Sequence, residues 1–369
     1  MNKLFFALGV SALSPLALAK PTIVTSISPV SMIVAAIAGD KAEIQQIVSS
    51  TASPHDFALR PSDLRKISNA DTVVWVGESL ENFLEKPLKN AGKEESSIEW
   101  LTLKGVELHN FGEDGHDDHD HDHDHDHDHD EHDDHDHDEH DDHDHDKHDD
   151  HDHDEHDDHD HDKHDDHDHD EHDDHDHDEH DDHDHDEHDH GGHEGHSHEG
   201  VDPHVWLSPD NARVLAEAVT MRMVYLDSAN AEYYKANLAA FDKDLSAKDD
   251  EIRHSFDKVS KVPYIVFHDA YTYFEEHYGL NNAGEVTVSP ERKPGAKKVA
   301  ELRHQIEENK VQCVFSEPQF SPGIVKSLLD GTSVKTAVLD PLGSEIPLSK
   351  DAYFTFLSTL NGQFLSCLG

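Results

Sequence analysis

Residues 131 to 186 are seven copies of one eight-residue unit, E/K-H-D-D-H-D-H-D, and alternating His-Asp leads into them from about His116. A Gly-rich close follows, from Gly191 to Gly200. Almost no side chain here is apolar, so burial cannot offset the ~1–2 kcal/mol per residue that ordering a backbone costs. The unit also lacks the hydrophobic face that stacked repeats need. The sequence therefore predicts a disordered insert over 112–199, and folding is left to the segments that flank it.

Thirty-three of the forty histidines lie between His116 and His198. Imidazole is the commonest metal ligand and suits zinc, copper and nickel, while carboxylates add charge and oxygen ligands. Such a tract is expected to take up several divalent ions weakly and without one geometry. Protons compete near the reference histidine pKa of about 6.5, so retention falls in acid. An acidic solvated spacer is the plainer alternative, and so many imidazoles make it a poor one. The tract also owns most of the formal charge of −54: Glu113 to Glu199 holds 47 acids against two lysines, leaving 36 acids and 27 bases elsewhere. The remainder is mildly acidic, with nothing basic enough to suggest nucleic acid.

Residues 1–19 combine Lys3, an apolar run from Leu4 to Leu18 and a closing Ala17-Leu18-Ala19. That is the form of a cleavable signal peptide, with the mature chain starting at Lys20. Ser11, Ser14 and Pro15 interrupt the run, which falls short of the roughly 20 apolar residues of a membrane span. No Cys at the cleavage point offers a lipid anchor. An exported, soluble protein is expected. Outside the cytoplasm the two cysteines, Cys313 and Cys367, read first as a disulfide. Zinc ligation by the pair is the alternative, but neither lies in a C-x-x-C pair.

The remaining stretches alternate strand and helix. Strands are predicted at Thr22–Ser28, Ala42–Ser49 and Thr72–Gly77, with helices at Val30–Ala38, Asp63–Asn69 and Leu80–Asn90. Ser208-Pro209 reads as an N-cap and N1 pair opening a helix to about Leu226. Ala229 to Val259 has no Gly or Pro, and Leu238, Phe241, Leu245, Ile252 and Phe256 repeat at helical spacing, so one long amphipathic helix is expected. Alternation then resumes: strands Tyr264–Phe267, Glu285–Val288, Val311–Phe315 and Lys335–Leu339, with helices Tyr271–Tyr278, Ala296–Asn309, Gly323–Leu329 and Ala352–Cys367. The fold class is α/β: two lobes with mainly parallel sheets, joined by the long helix. The expected division is 20–111 with 200–227 as the N-terminal lobe, 228–260 as the linking helix and 261–369 as the C-terminal lobe.

Ligands of open α/β sheets bind beyond the carboxyl ends of strands. His268 directly follows Tyr-Ile-Val-Phe, and Asp340 follows Ala337-Val338-Leu339. His55 lies in the loop after the second strand, and His204 lies just before the Ser208-Pro209 cap. Three His with one carboxylate or water suit tetrahedral zinc. Singly, each is more often a loop or packing residue. His109, His254, His277 and His304 are read as surface or border residues.

Ser53-Pro54-His55-Asp56-Phe57-Ala58-Leu59-Arg60-Pro61-Ser62-Asp63 and Ala70 to Gly77 resemble the N-lobe of zinc-uptake ABC transporter substrate-binding proteins, the ZnuA family. Asp202-Pro203-His204-Val205-Trp206-Leu207-Ser208-Pro209 and Phe267-His268-Asp269-Ala270-Tyr271-Thr272-Tyr273-Phe274 resemble its second and third ligand motifs. Cys313 to Phe320, Leu339-Asp340-Pro341-Leu342-Gly343 and Cys367 resemble its ending. The resemblance implies two α/β lobes joined by a rigid helix, with Zn2+ in the cleft held by His55, His204 and His268. Asp340 stands where related manganese-binding proteins supply a carboxylate, so it or water is the implied fourth ligand. Pro54 replaces an acid that some members carry before the first His. A Cys313–Cys367 disulfide is implied as well.

The resemblance implies a periplasmic, monomeric, non-enzymatic binding protein that delivers Zn2+ to the membrane permease and ATPase of an importer. Two other classes compete. One is a zinc store working through the tract. The other is a zinc hydrolase, for which there is no H-E-x-x-H and only Glu317 to nominate as a base.

Overall fold

The computed structural model describes residues 19–111, 200–287, 290, 294–321 and 323–369. The expected signal peptide, Ala19 apart, and the expected disordered insert lie outside the described residues. Two four-stranded, wholly parallel sheets organise the rest. The first contains β1 (Thr22–Thr25), β2 (Glu43–Gln46), β3 (Thr72–Trp75) and β4 (Ile98–Glu99) in the order β2-β1-β3-β4. The second contains β5 (Tyr264–His268), β6 (Asn282–Thr287), β7 (Cys313–Ser316) and β8 (Lys335–Val338) in the order β6-β5-β7-β8. Every residue of β3 and β5 is buried, as parallel strands covered on both faces require. In each sheet the chain winds out from a central strand and then back across it, so the order reverses beside β1 and again beside β5.

Nine helices cover the sheets among the described residues: α1 (Ser28–Ala38), α2 (Pro61–Asn69), α3 (Glu78–Asn90), α4 (Pro209–Leu226), α5 (Ala231–Phe256), α6 (Thr272–Tyr278), α7 (Ala296–Glu308), α8 (Gly323–Leu329) and α9 (Ala352–Leu368). The α1 sequence is apolar except for Ser28 and Ser31, and every residue of it is buried. It packs against α4, α5 and α9. The stripe on α5 faces inward through Phe241, Leu245, Ile252 and Phe256. This helix touches both lobes: Asn237 Nδ2 donates to the Ile37 carbonyl at 2.7 Å, and Ser255 Oγ donates to Asn361 Oδ1 at 2.9 Å. It is not a bare strut, because α9 also crosses to α1. One apolar core runs through both lobes, with Val24, Met32, Trp206, Phe241 and Phe364 among its members. A smaller core under α7 and α8 holds Ile265, Phe267, Leu302 and Leu328.

Several boundaries move. The first strand ends at Thr25 rather than Ser28: α1 already begins at Ser28, and Pro29, which has no N–H to give a sheet ladder, lies in its first turn. The second strand is shorter than Ala42–Ser49, and β6 starts three residues before Glu285, at Asn282. The two-residue β4 carries no periodic signal and was not expected. Cys313 on β7 and Cys367 on α9 form a disulfide with Cα atoms 6.0 Å apart. At the insert's root, Phe111 N–H donates to the Gly200 carbonyl at 3.0 Å and Asp202 N–H to the His109 carbonyl at 2.8 Å. Asn110 and Val201 thus form an antiparallel bridge.

Candidate metal centre

His268 is the last residue of β5, on the carboxyl edge of the second sheet where the strand order reverses. The neighbouring strand on that side, β7, ends one residue before Glu317. Winding therefore brings these two side chains together, and His268 Nδ1 meets Glu317 Oε1 at 2.7 Å. His204 occupies the turn that precedes α4, whose N-terminus is capped by Ser208 Oγ accepting from Asn211 N–H at 3.2 Å. Asp202 serves this histidine twice: Oδ1 accepts from the His204 N–H at 2.9 Å and meets Nδ1 at 2.6 Å. His55 lies on the loop between β2 and α2, half-buried, with its N–H donating to Ser53 Oγ at 3.2 Å.

The three imidazoles converge through Nε2. His204 and His55 approach to 3.3 Å, and His268 and His204 to 3.4 Å. One nitrogen of each lies within 4.8 Å of the others, the single such grouping of three His, Cys or acidic residues among the described residues. Zn–N bonds of about 2.0–2.1 Å at tetrahedral angles separate two ligand nitrogens by roughly 3.3–3.4 Å, so the spacing fits that coordination. His204 and His268 are 1% and 3% exposed, and each gives its Nδ1 proton to a buried carboxylate. In the neutral form both Nε2 atoms are then lone pairs facing one another, an arrangement that calls for a cation between them.

Ser53, Pro54, Trp206, Phe320, Pro341 and Leu342 help line the space about the three rings, a cavity of about 10 Å3. That is the size of one water or one ion, not of an organic molecule. A separate groove of about 910 Å3 along Lys261, Asn282 and Lys310 contains none of the three histidines. Buried Tyr271 stands beside Glu317, and its hydroxyl is pushed well above the usual tyrosine range, first by burial and then by the charges of Glu317 and Asp340. It therefore stays protonated.

Of the four residues proposed from sequence, the structure brings His55, His204 and His268 together and does not bring Asp340 into the group. The Asp340 carboxylate accepts from Gln319 Nε2 at 3.0 Å and Leu342 N–H at 3.1 Å. It also accepts both the N–H and the hydroxyl of Ser344 at 2.6 Å, which closes the loop after β8. Two residues that sequence reasoning did not place at the site are Asp202 and Glu317, the latter weighed only as a base. Asp202 carried a local signal, an acid two residues before a histidine. Glu317 carried one only jointly with the pairing of β5 and β7.

The profile of the family described as zinc-uptake complex component A, periplasmic, matches residues 23–364. The high-affinity zinc uptake system protein ZnuA of Haemophilus influenzae is 38% identical over 371 residues, covering 100% of this chain and 99% of that one. Its counterpart from Yersinia pestis is 34% identical over 362 residues, 96% and 93% of the two chains. Among solved structures, a crystal structure of ZnuA overlays with a TM-score of 0.65 at 19% identity, covering 95% of this chain and all of that one. A zinc-bound ZnuA deletion mutant overlays with a TM-score of 0.64, also at 19% identity, over 95% and 99%. These overlays support the two-lobed α/β fold, and the sequence matches over nearly the whole chain establish descent: this protein belongs to the ZnuA family.

Proposed function

We propose that the chain captures Zn2+ between His55, His204 and His268 in the periplasm and hands it to the permease and ATPase of an ABC-type importer. The observation that carries this reading is the pair of buried Nε2 atoms facing at 3.4 Å, each imidazole backed by a carboxylate. Three imidazoles favour zinc over the harder manganese ion, and a cavity of ion size offers no room for an organic substrate. Water takes the fourth coordination place, since Asp340 is engaged by Gln319, Leu342 and Ser344. The relatives' names connect them to high-affinity zinc uptake, and the histidine tract then adds capacity rather than the defined site.

A zinc titration against a competing chelator, on protein lacking residues 116–198, tests this reading. One tight equivalent is expected, and His204→Ala is expected to abolish it. Loss of tight binding with the tract, or its survival in His204→Ala, would overturn the reading in favour of storage by the tract.

A further inference from the structure

The main chain on either side of His204 is held from the opposite lobe. Tyr273 Oη, on α6, donates to the Asp202 carbonyl at 2.8 Å. Tyr353 Oη, on α9, donates to the Trp206 carbonyl at 2.8 Å. Trp206 completes the grip by donating its indole N–H to the Pro341 carbonyl at 2.7 Å. The two tyrosines and the tryptophan are at most 2% exposed, so water does not compete for these bonds. His204 therefore belongs in chain order to the segment that opens α4, but its position is referenced to the lobe that carries His268. Tyr273 does more: its oxygen accepts the His109 N–H at 3.1 Å, where the root of the insert pairs with Asp202.

We infer that Tyr273 and Tyr353 are positioning residues of the metal centre: their hydroxyls fix residues 202 and 206 so that His204 faces His268 before an ion arrives. The inference rests on the proposal that the three histidines hold Zn2+. Any buried phenol needs an acceptor, but here two phenols from different helices take the two carbonyls that flank one ligand. Tyr234 supplies the comparison: it is equally buried, and its hydroxyl bonds Asp227 Oδ2 at 2.7 Å on the α4–α5 corner. Fixing ligands beforehand favours binding because less freedom is lost when the ion enters.

The test uses the full-length chain and its Tyr273→Phe, Tyr353→Phe, Tyr234→Phe and His204→Ala variants. Three readouts are taken: affinity for the first zinc equivalent by chelator competition, the cobalt(II) d–d band at one equivalent, and metal-free melting. Phenylalanine keeps the ring packing and removes one hydrogen bond. Zinc affinity is expected to fall about three- to tenfold in Tyr273→Phe and in Tyr353→Phe, with a shifted or broadened cobalt band. Tyr234→Phe is expected to lower the melting temperature while leaving affinity and band unchanged. If Tyr273→Phe and Tyr353→Phe change only melting, as Tyr234→Phe does, the positioning role is wrong. Unchanged affinity in His204→Ala would instead strike the underlying metal centre, so the two failures are separable.

Discussion

A histidine binds a metal through one nitrogen, and the partner of its other nitrogen sets both its orientation and its basicity. Glu317 is that partner for His268. Glu317→Gln keeps one acceptor oxygen for the imidazole, removes the charge and turns the other oxygen into an N–H donor. Zinc affinity is expected to fall about tenfold, at the low end of the 10–100-fold range for such partners, as read by chelator competition. Glu81 is a different buried acid. It accepts from Val76 N–H at 2.8 Å and Gly77 N–H at 3.2 Å just past β3, and burial lifts its pKa from 4.5 to about 7. Between those values the folded chain binds more protons than the unfolded one, so this group makes stability fall as pH rises from about 4.5 to 7, with no further change above. At 1.36 kcal/mol per unit the span is on the order of 3 kcal/mol. Glu81→Gln is expected to flatten that slope in metal-free urea unfolding at pH 5 and pH 8; an unchanged slope would refute the assignment. Gly77 beside it has φ +153°, and a Cβ there would meet Leu101 Cδ1 at 2.8 Å. At this scale His268 was legible because a strand end points to it. His55 and His204 sit in loops, where no periodicity marks them; their places after the second strand and before the Ser208-Pro209 cap were a weak pointer that the motif resemblance made firm. Asp340 satisfied the same strand-end rule as His268, but its oxygens went to the turn that Ser344 closes.

The elements with strong apolar patterns were the ones the sequence could place. The stripe on α5 and the mostly apolar α1 leave little choice of structure, and β3 and β5 are continuous buried runs. What stayed hidden is how elements from different lobes meet. The contact of α9 with α1 depends on partners some 300 residues apart, which no local window contains. The Cys313–Cys367 bridge ties α9 to β7 across a separation of 54 residues. Serine at both positions is expected to cost about 2–4 kcal/mol in chemical denaturation, mainly by freeing the unfolded chain. Neither cysteine is among the residues lining the metal cavity, so one tight zinc equivalent is expected to persist under conditions where the variant remains folded. Loss of that equivalent in folded variant would show that α9 is set by the bridge rather than by its packing.

The three histidines come from segments that only folding brings together: His204 is 149 residues from His55 and 64 from His268. An ion that binds them therefore favours the folded state over the unfolded one. Free zinc at a hundred times the dissociation constant stabilises by about 2.7 kcal/mol. The tract is expected to show no such preference, because its histidines and acids are neighbours in sequence and would bind ions whether or not the lobes are folded. Binding that is equal in both states cancels from stability. Two histidine populations in one chain are thus separable by a single measurement. At fixed buffered free zinc, the rise in melting temperature is expected to be the same with and without residues 116–198, and to vanish in His204→Ala. The rise is also expected to shrink toward pH 5, as protons compete for the imidazoles. A rise that tracked the tract instead would mean that its ions bridge the lobes, and that His55, His204 and His268 contribute little to holding zinc.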